Sequence, residues 1–237
     1  MPRFSIIVGV YNQAATLPGL IESLVKQTLP DFEVHFCDDG STDESRDLIE
    51  MFISQAPSGR YFYHRQEHKG MRLAKNVNQG IKAARGEYCV FVMGDSMLEQ
   101  DYLEILNEYV QENRIVCGVR IQVSEVAGKM VGVDVDWRLK KNMIPDFPTV
   151  IVAYPWLVLT GNGLTIPTEA LRVYGGWMEA IEGYGGEDNE IVARLFFKGY
   201  LCWSVPDLRL YHRWHKSMES NAKNNEIVLN LVKQYGS

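Results

Sequence analysis

Two adjacent carboxylates, Glu187 and Asp188, follow the run Gly183-Tyr184-Gly185-Gly186 and open the helical pattern Ile191-Val192-Ala193-Arg194-Leu195-Phe196-Phe197. Glycines let a backbone adopt conformations closed to other residues and approach a bulky ligand closely. Acids in the first turn of a helix are favoured by the positive end of its dipole. The pattern therefore fits two readings: an acidic helix start, or a carboxylate site able to take a proton from a hydroxyl or hold one. Further acids stand where strands should end, at Asp38-Asp39-Gly40 and Gly94-Asp95. Two histidines, His212 and His215, stand three apart in Leu210-Tyr211-His212-Arg213-Trp214-His215. On a helical turn both could point one way, whereas on a strand they would face opposite sides.

The elements that must position these groups alternate along the first half. Phe4 to Val10 is a short apolar run of the buried parallel type. A helix follows with Thr16 as its cap and Leu17, Leu20, Ile21, Leu24 and Val25 on one face. Phe32 to Cys37 reads as a second strand, and Ser41-Thr42-Asp43-Glu44 has capping-box spacing for a helix through Leu48, Ile49, Phe52 and Ile53. Arg60 to His64 reads as a strand, Leu73 to Arg85 as a helix closed by Gly86, and Glu87 to Met93 as another buried strand. Strand–helix alternation implies an α/β fold, a mostly parallel twisted sheet with helices on both faces. Ligands bind such sheets at the carboxyl ends of the strands, so Asp38-Asp39 and Gly94-Asp95 are expected to face one crevice.

The second half is less regular. Val116 to Val135 holds strand-like segments, and Asp134 to Pro148 reads as a mobile loop. Gly161-Asn162-Gly163 precedes the strand Leu164-Thr165-Ile166, and Pro167-Thr168-Glu169 starts a short helix. After the Glu187-Asp188 helix comes the strand Leu201 to Val205, and Ile227 to Val232 suggests a terminal helix that could dock on the domain or on a second subunit. With no repeat or linker, one domain spans 1–237: a regular half to about residue 98, a less regular half at about 99–215, and a tail at 216–237.

The chain has 237 residues, of which 46% are hydrophobic and 23% charged, as a globular protein with a substantial core requires. A net charge of -6 argues against a nucleic-acid partner, and an acidic protein binding a phosphorylated ligand needs a metal or a local basic cluster. Cys37, Cys89, Cys117 and Cys202 form no CxxC pair and read as buried reduced thiols, which points to the cytoplasm. The N-terminus enters a strand without the layout of a signal peptide, and the longest apolar stretch, Thr149 to Thr160, is broken by Pro155 and too short to span a bilayer.

Val10-Tyr11-Asn12, Asp38-Asp39-Gly40-Ser41-Thr42-Asp43, Gly86-Glu87-Tyr88 and Gly94-Asp95, in that order, resemble the nucleotide-binding half of family 2 glycosyltransferases, which have the GT-A fold and use nucleotide-diphosphate sugars. Gly185-Gly186-Glu187-Asp188 with Tyr211-His212 is similar to the acceptor-side half of galactosyl- and N-acetylgalactosaminyl-transferases. The resemblance implies that Asp39, with Asp38 beside it, accepts a hydrogen bond from the uracil N3–H. It implies that Asp95 is the last acid of the D-x-D motif that holds Mn²⁺ or Mg²⁺ on the donor diphosphate, with Met93 in place of the first acid and Gly94 between. His212, and after it His215, would complete the metal site.

Asp188 is then the base that deprotonates the acceptor hydroxyl, and Glu187 holds an acceptor hydroxyl. One base and a metal-assisted leaving group imply single displacement with inversion. Arg72 resembles a basic residue that reaches the donor, Asn162 is a candidate contact for the donor sugar, and Trp177 and Tyr184 are candidate sugar-stacking faces. The expected protein is a cytoplasmic, metal-dependent, inverting glycosyltransferase that moves a hexose or N-acetylhexosamine from a UDP-sugar to a glycan or other hydroxyl acceptor, able to sit at a membrane carrying that acceptor. A retaining N-acetylgalactosaminyltransferase-like enzyme and a non-catalytic nucleotide- or glycan-binding protein stay open as alternatives. A nucleotidyltransferase is disfavoured, because no glycine-rich phosphate loop follows the first strand.

Overall fold

Every residue of β1, Phe4–Val10, is buried. A strand covered on both faces calls for parallel neighbours and for helices above and below. β1 pairs in parallel with β2 (Phe32–Asp38) on one side and with β4 (Tyr88–Met93) on the other, and β2 pairs in parallel with β3 (Tyr61–Arg65). Alternate residues then face opposite layers. Ile6, Val8, Val90 and Val92 share a core with Leu17, Leu20 and Leu24 of α1 (Leu17–Val25) and Ile49 of α2 (Ser45–Gln55). Ile7, Cys89 and Phe91 share the other core with Val77 and Ile81 of α3 (Leu73–Ala83).

The computed structural model of the chain describes residues 1–126, 129–213 and 221–236. Beyond β4 come β5 (Ser96–Leu98), α4 (Tyr102–Tyr109), β6 (Arg114–Val126), β7 (Lys129–Asp134), α5 (Trp137–Lys140), β8 (Thr149–Val150), a single 3-10 turn (Pro155–Leu157), β9 (Leu164–Pro167), α6 (Thr168–Tyr174), α7 (Glu187–Phe197), β10 (Leu201–Arg213) and α8 (Ala222–Tyr235). The sheet runs β3-β2-β1-β4-β9-β6-β10-β5, with β7 on β6 and β8 on β10. β9 is antiparallel to both β4 and β6, so the parallel half gives way to a mixed one in which β6 and β10 run parallel. Strand order reverses at β1, between β2 and β4, and the carboxyl ends of strands at such a reversal are where these sheets take ligands.

Several local expectations are corrected. The Ser41–Glu44 capping box does not form. The Ser41 hydroxyl instead donates to Asp38 Oδ1 (2.6 Å) and accepts from the Asn12 amide (2.9 Å), and α2 begins only at Ser45. Gly86 is not the end of α3, whose cap is Ala84. Its small size serves a close approach to β1, since a Cβ there would fall 2.6 Å from the Ser5 amide nitrogen.

The segment Asp134 to Pro148 is an anchored element, not a loose loop. Asp136 caps α5 and accepts from the Arg120 amide (2.9 Å), while the fully buried Arg138 pairs with Asp136 and donates to the carbonyls of Val158 (2.8 Å) and Gly118 (2.7 Å). The tail helix docks on its own domain. Tyr235 donates to Glu190 (2.7 Å), and the Asn224 amide donates to the carbonyls of Glu182 (2.9 Å) and Gly185 (2.8 Å).

All four cysteines are free and buried, and burial pushes the thiols of Cys37, Cys89 and Cys202 up to about 12. Among the described residues no helix is long and apolar enough to cross a membrane.

Removing one partner of a buried ion pair strands the other charge at a cost of about 3–5 kcal/mol. Asp136→Ala should therefore lower the urea midpoint far more than an exposed pair would, for example Glu50→Ala opposite Arg46. Equal midpoint shifts in the two variants would show that Asp136 and Arg138 do not anchor the segment.

Candidate active site

At the end of β2 two neighbouring acids have opposite surroundings. Asp38 is wholly buried, and its carboxylate accepts from the Ser41 amide (2.8 Å), the Ser41 hydroxyl and the Tyr63 hydroxyl (2.6 Å), with Arg65 Nε 3.4 Å away. It therefore builds the crevice floor and does not present its carboxylate to a ligand, contrary to the expectation that it contacts the base beside Asp39. Asp39 lies one residue further on, its amide donating to the Val10 carbonyl (2.9 Å). Its Oδ1 accepts from Gln66 Nε2 (2.5 Å) and its Oδ2 lies 3.0 Å from His68 Nδ1. The His68 ring stacks on Tyr11 with centroids 4.2 Å apart and planes at 10°. An aromatic face beside a carboxylate is a platform on which a pyrimidine could stack and donate its N3–H.

The other donor-side candidates shape this platform from beneath. Val10 is buried. Asn12 takes a positive φ of 50°, and its side-chain oxygen accepts from the Thr42 amide (2.8 Å), which clamps the loop after β2 to the end of β1. Arg72 caps α3, donates to the Glu67 carbonyl and keeps its Nε buried without a partner, in the same loop as His68.

At the end of β4 the turn Met93-Gly94-Asp95 is gripped through its backbone. Gly94 donates to the Gly9 carbonyl (2.9 Å) and accepts from the Thr16 hydroxyl (2.9 Å), and the Met93 amide donates to Asn162 Oδ1 (3.2 Å). Asn162 also donates to the buried Ser96 hydroxyl (2.8 Å). It is thus a brace for this turn, and its side chain is not directed at a donor sugar.

Antiparallel pairing sets His212 opposite Ser96, which brings His212 Nε2 to 3.3 Å from Asp95 Oδ2. Gln122 Oε1 lies 2.9 Å from His212 Nδ1. An amide oxygen only accepts, so the Nδ1 of a neutral ring carries the hydrogen, and Nε2, the ring's acceptor, is turned towards the carboxylate. An imidazole nitrogen and a carboxylate oxygen turned towards each other form a donor set that fits a divalent ion such as Mn²⁺. Among the described residues no three His, Cys, Asp or Glu side chains gather to hold a metal. His215 lies outside the described residues.

The acid pair opens α7. Gly186 precedes it at φ 102°, and a Cβ there would press within 3.2 Å of the Asn224 Cβ of α8. Asp188 Oδ2 accepts from the Gly161 amide (2.8 Å) and Oδ1 from the Asn189 amide (2.9 Å). A Cβ on Gly161 would meet Trp177 at 2.8 Å and the Asp188 Cβ at 3.3 Å, so glycine is what lets α7 come this close. Glu187 is buried and its Oε2 has no partner. Burial first, and the adjacent Asp188 charge second, push its carboxyl up to about 7. Trp177 is buried against Phe91, centroids 5.0 Å apart, and is a core residue in place of the expected sugar platform. Tyr184 keeps an exposed face.

Residues 5–155 match the model of the family described as Glycosyl transferase family 2, well over half of the chain. The chain is a member of glycosyl transferase family 2. Among similar proteins, the Streptomyces hygroscopicus validoxylamine A glucosyltransferase is 29% identical over 225 residues, covering 84% of this chain and 52% of that protein. The Streptococcus pneumoniae glycosyltransferase GlyG is 36% identical over 108 residues, 46% of this chain and 35% of its own. The chain thus spans about half or less of these relatives' length. The fold is that of the S. aureus TarS 1–349 structure in complex with UDP, with TM-score 0.75 and 20% identity over 99% of this chain and 65% of that one. This family 2 member therefore has the GT-A fold.

Three residues at this site, Gln66, His68 and Gln122, escaped the sequence reading. Each is a single polar residue without motif spacing, and only sheet register and loop closure bring it to Asp39 or His212.

Glu187 holds its proton more firmly folded than unfolded, so its contribution to stability falls as pH rises from its ordinary value of 4.5 towards about 7, by at most ~3 kcal/mol. Glu187→Gln should remove that slope, gaining more in thermal midpoint at about pH 7.5 than at about pH 4.5. An equal gain at both would show that Glu187 does not keep its proton on folding.

Proposed function

We propose that this family 2 member transfers a hexose or N-acetylhexosamine from a UDP-sugar to a hydroxyl of a glycan or other acceptor, with inversion at the anomeric carbon. One observation carries the reading: the turn Gly161-Asn162-Gly163 bonds Asp188 through its first residue and braces the Asp95 turn through its second. In this reading a proton acceptor and a diphosphate-binding end share one crevice. Tyr11 and Asp39 at its other side suit the uracil ring. The likeness to a glucosyltransferase, and to TarS whose structures include complexes with UDP and UDP-GlcNAc, supports a nucleotide-sugar donor. The Gly185-Gly186-Glu187-Asp188 segment supports kinship of the acceptor half with galactosyl- and N-acetylgalactosaminyl-transferases.

In this reading Asp188 takes the acceptor hydroxyl proton while that oxygen forms its bond to the anomeric carbon. The bond from that carbon to the UDP oxygen breaks from the opposite face, and UDP leaves with the electron pair. Backbone amides on both Asp188 oxygens hold the carboxylate in place and aimed. Glu187, keeping its proton near neutrality, donates a hydrogen bond to an acceptor oxygen and leaves the base role to Asp188. Asp95 and His212 would hold Mn²⁺ or Mg²⁺, which supplies positive charge to the departing diphosphate when bound. Buried free thiols and a nucleotide-sugar donor suit the cytoplasm, with the acceptor free or carried on a membrane.

A positioned general base is worth roughly 10²–10⁴-fold in rate. Asp188→Asn should lose transfer by that factor while binding UDP as the unchanged chain does, and the anomeric proton coupling of the product should report a β linkage from an α-linked donor. Full transfer by the variant would remove Asp188 from the base role, and an α product would favour the retaining alternative.

Calorimetry should show UDP binding at least about tenfold tighter with Mn²⁺ than in EDTA, a preference that Asp95→Asn and His212→Ala each erase. Equal affinity in both buffers would end the case for a metal at these residues.

A further inference from the structure

We propose that His68 stands in for the donor's nucleobase, filling the base slot until uridine displaces it; this rests on the uridine reading of Tyr11 and Asp39. Besides a 3.2 Å contact of Nδ1 with the Asp39 carbonyl oxygen, the His68 ring makes the two contacts that a uracil would make there. Its face lies on Tyr11, centroids 4.2 Å apart and planes at 10°. Its Nδ1 lies 3.0 Å from Asp39 Oδ2, and because an ionised carboxylate can only accept, that nitrogen is the donor, as the N3–H of uracil would be. A flat ring with an edge N–H thus already occupies a place suited to another flat ring with an edge N–H.

The surroundings leave little room for both rings to be served at once. Asp39 is 5% exposed and both its carboxylate oxygens are engaged, Oδ1 by Gln66 and Oδ2 by His68. Of these partners, His68 is the one whose withdrawal would also uncover the covered face of Tyr11. The His68 side chain is about a third exposed, so it has solvent to swing into. Its backbone is seated, since a Cβ on Gly40 would fall 2.7 Å from the His68 amide nitrogen. Displacement therefore asks for a side-chain rotation and not for refolding of the loop. Two residues on, Gly70 takes φ +79° with open space around it, which leaves the outer half of the loop unencumbered.

The device tunes affinity and selectivity together. A ligand enters only by replacing both the stack and the hydrogen bond, so a ring without a donor at the matching edge, such as cytosine, leaves Asp39 better served by His68 than by itself. A slot open about a tenth of the time weakens the apparent affinity about tenfold relative to an open one.

The test is UDP binding by calorimetry to the full chain and to His68→Ala and His68→Phe, with the His68 ring protons followed by NMR. His68→Ala should bind UDP about tenfold tighter, with CDP gaining at least as much, and His68→Phe, which keeps the ring but loses the N–H, should fall between the two. UDP should also relieve the ring-current shift that Tyr11 imposes on the His68 protons. Weaker or unchanged UDP binding by His68→Ala, or a ring-current shift that survives saturation, would overturn the proposal. Tyr11→Ala and Asp39→Asn provide the separate control: if UDP binding is indifferent to both, the uridine site lies elsewhere and the proposal falls with it.

Discussion

Asn162 divides its side-chain amide between the Met93 backbone and the Ser96 hydroxyl, and the crevice depends on that division. On one side of Asn162, Gly161 donates to Asp188; on the other, Gly163 donates to the Phe91 carbonyl. Four consecutive contacts thus tie the end of β4, the following turn and the start of α7 to a three-residue connection. The asparagine is buried, so a substitution that leaves either the Met93 N–H or the Ser96 hydroxyl unsatisfied costs about 1–3 kcal/mol in that place. Flanking glycines make the geometry attainable, since a side chain on Gly161 would drive Trp177 and Asp188 away. The acid helix and the Asp95 turn, far apart in sequence, are held in register by this connection more than by contact with each other.

Neighbouring carboxylates acquire different chemistry from their surroundings in two places. Asp38 ends a strand and is consumed by Ser41 and Tyr63, while Asp39 follows it and is reached by side chains from the β3–α3 loop. Glu187 and Asp188 share a helix start, yet the Gly161 and Asn189 amides engage both Asp188 oxygens, whereas the Glu187 oxygen Oε2 is buried without a partner. Separation of two carboxyls by environment is a common way to assign a charged role to one and a neutral role to the other. In both pairs the sequence displays two equivalent acids and the packing makes them unequal.

The buried parallel strands were legible because each is a short apolar run with a glycine- or acid-rich end, and these features are local. The helix periods of α1, α3 and α7 were legible for the same reason. What sequence did not reveal depends on partners distant along the chain. Ser41 reads as a cap until Asp38 and Asn12 compete for its hydroxyl. Asp134 to Pro148 reads as a loop because Arg138 and Asp136 look like surface charges, whereas Val158 and Gly118 draw the guanidinium inside. Trp177 reads as a candidate sugar-stacking face, and only the approach of Phe91 and Gly161 makes it a core ring. Asn162 was visible as a polar residue between two glycines, but its function as a brace needs the return of β9 beside β4.

The absence of an acid at position 93 does not dismantle the Asp95 turn, and the reason is the kind of bond that holds it. Gly94 and Met93 are gripped by main-chain groups and by Asn162, none of which uses a side chain at position 93. Asp95 itself is placed by the β5–β10 ladder: its carbonyl accepts from the Arg213 amide (3.0 Å), and His212 sits opposite Ser96. Sheet register thus sets the distance between Asp95 and His212, and β6 contributes Gln122 to orient the imidazole. A pair fixed by three strands can keep its spacing while the residue at 93 varies. What an acid there would add is charge and a carboxylate, so methionine at this position bears on how strongly the proposed cation would be held and not on where the turn lies.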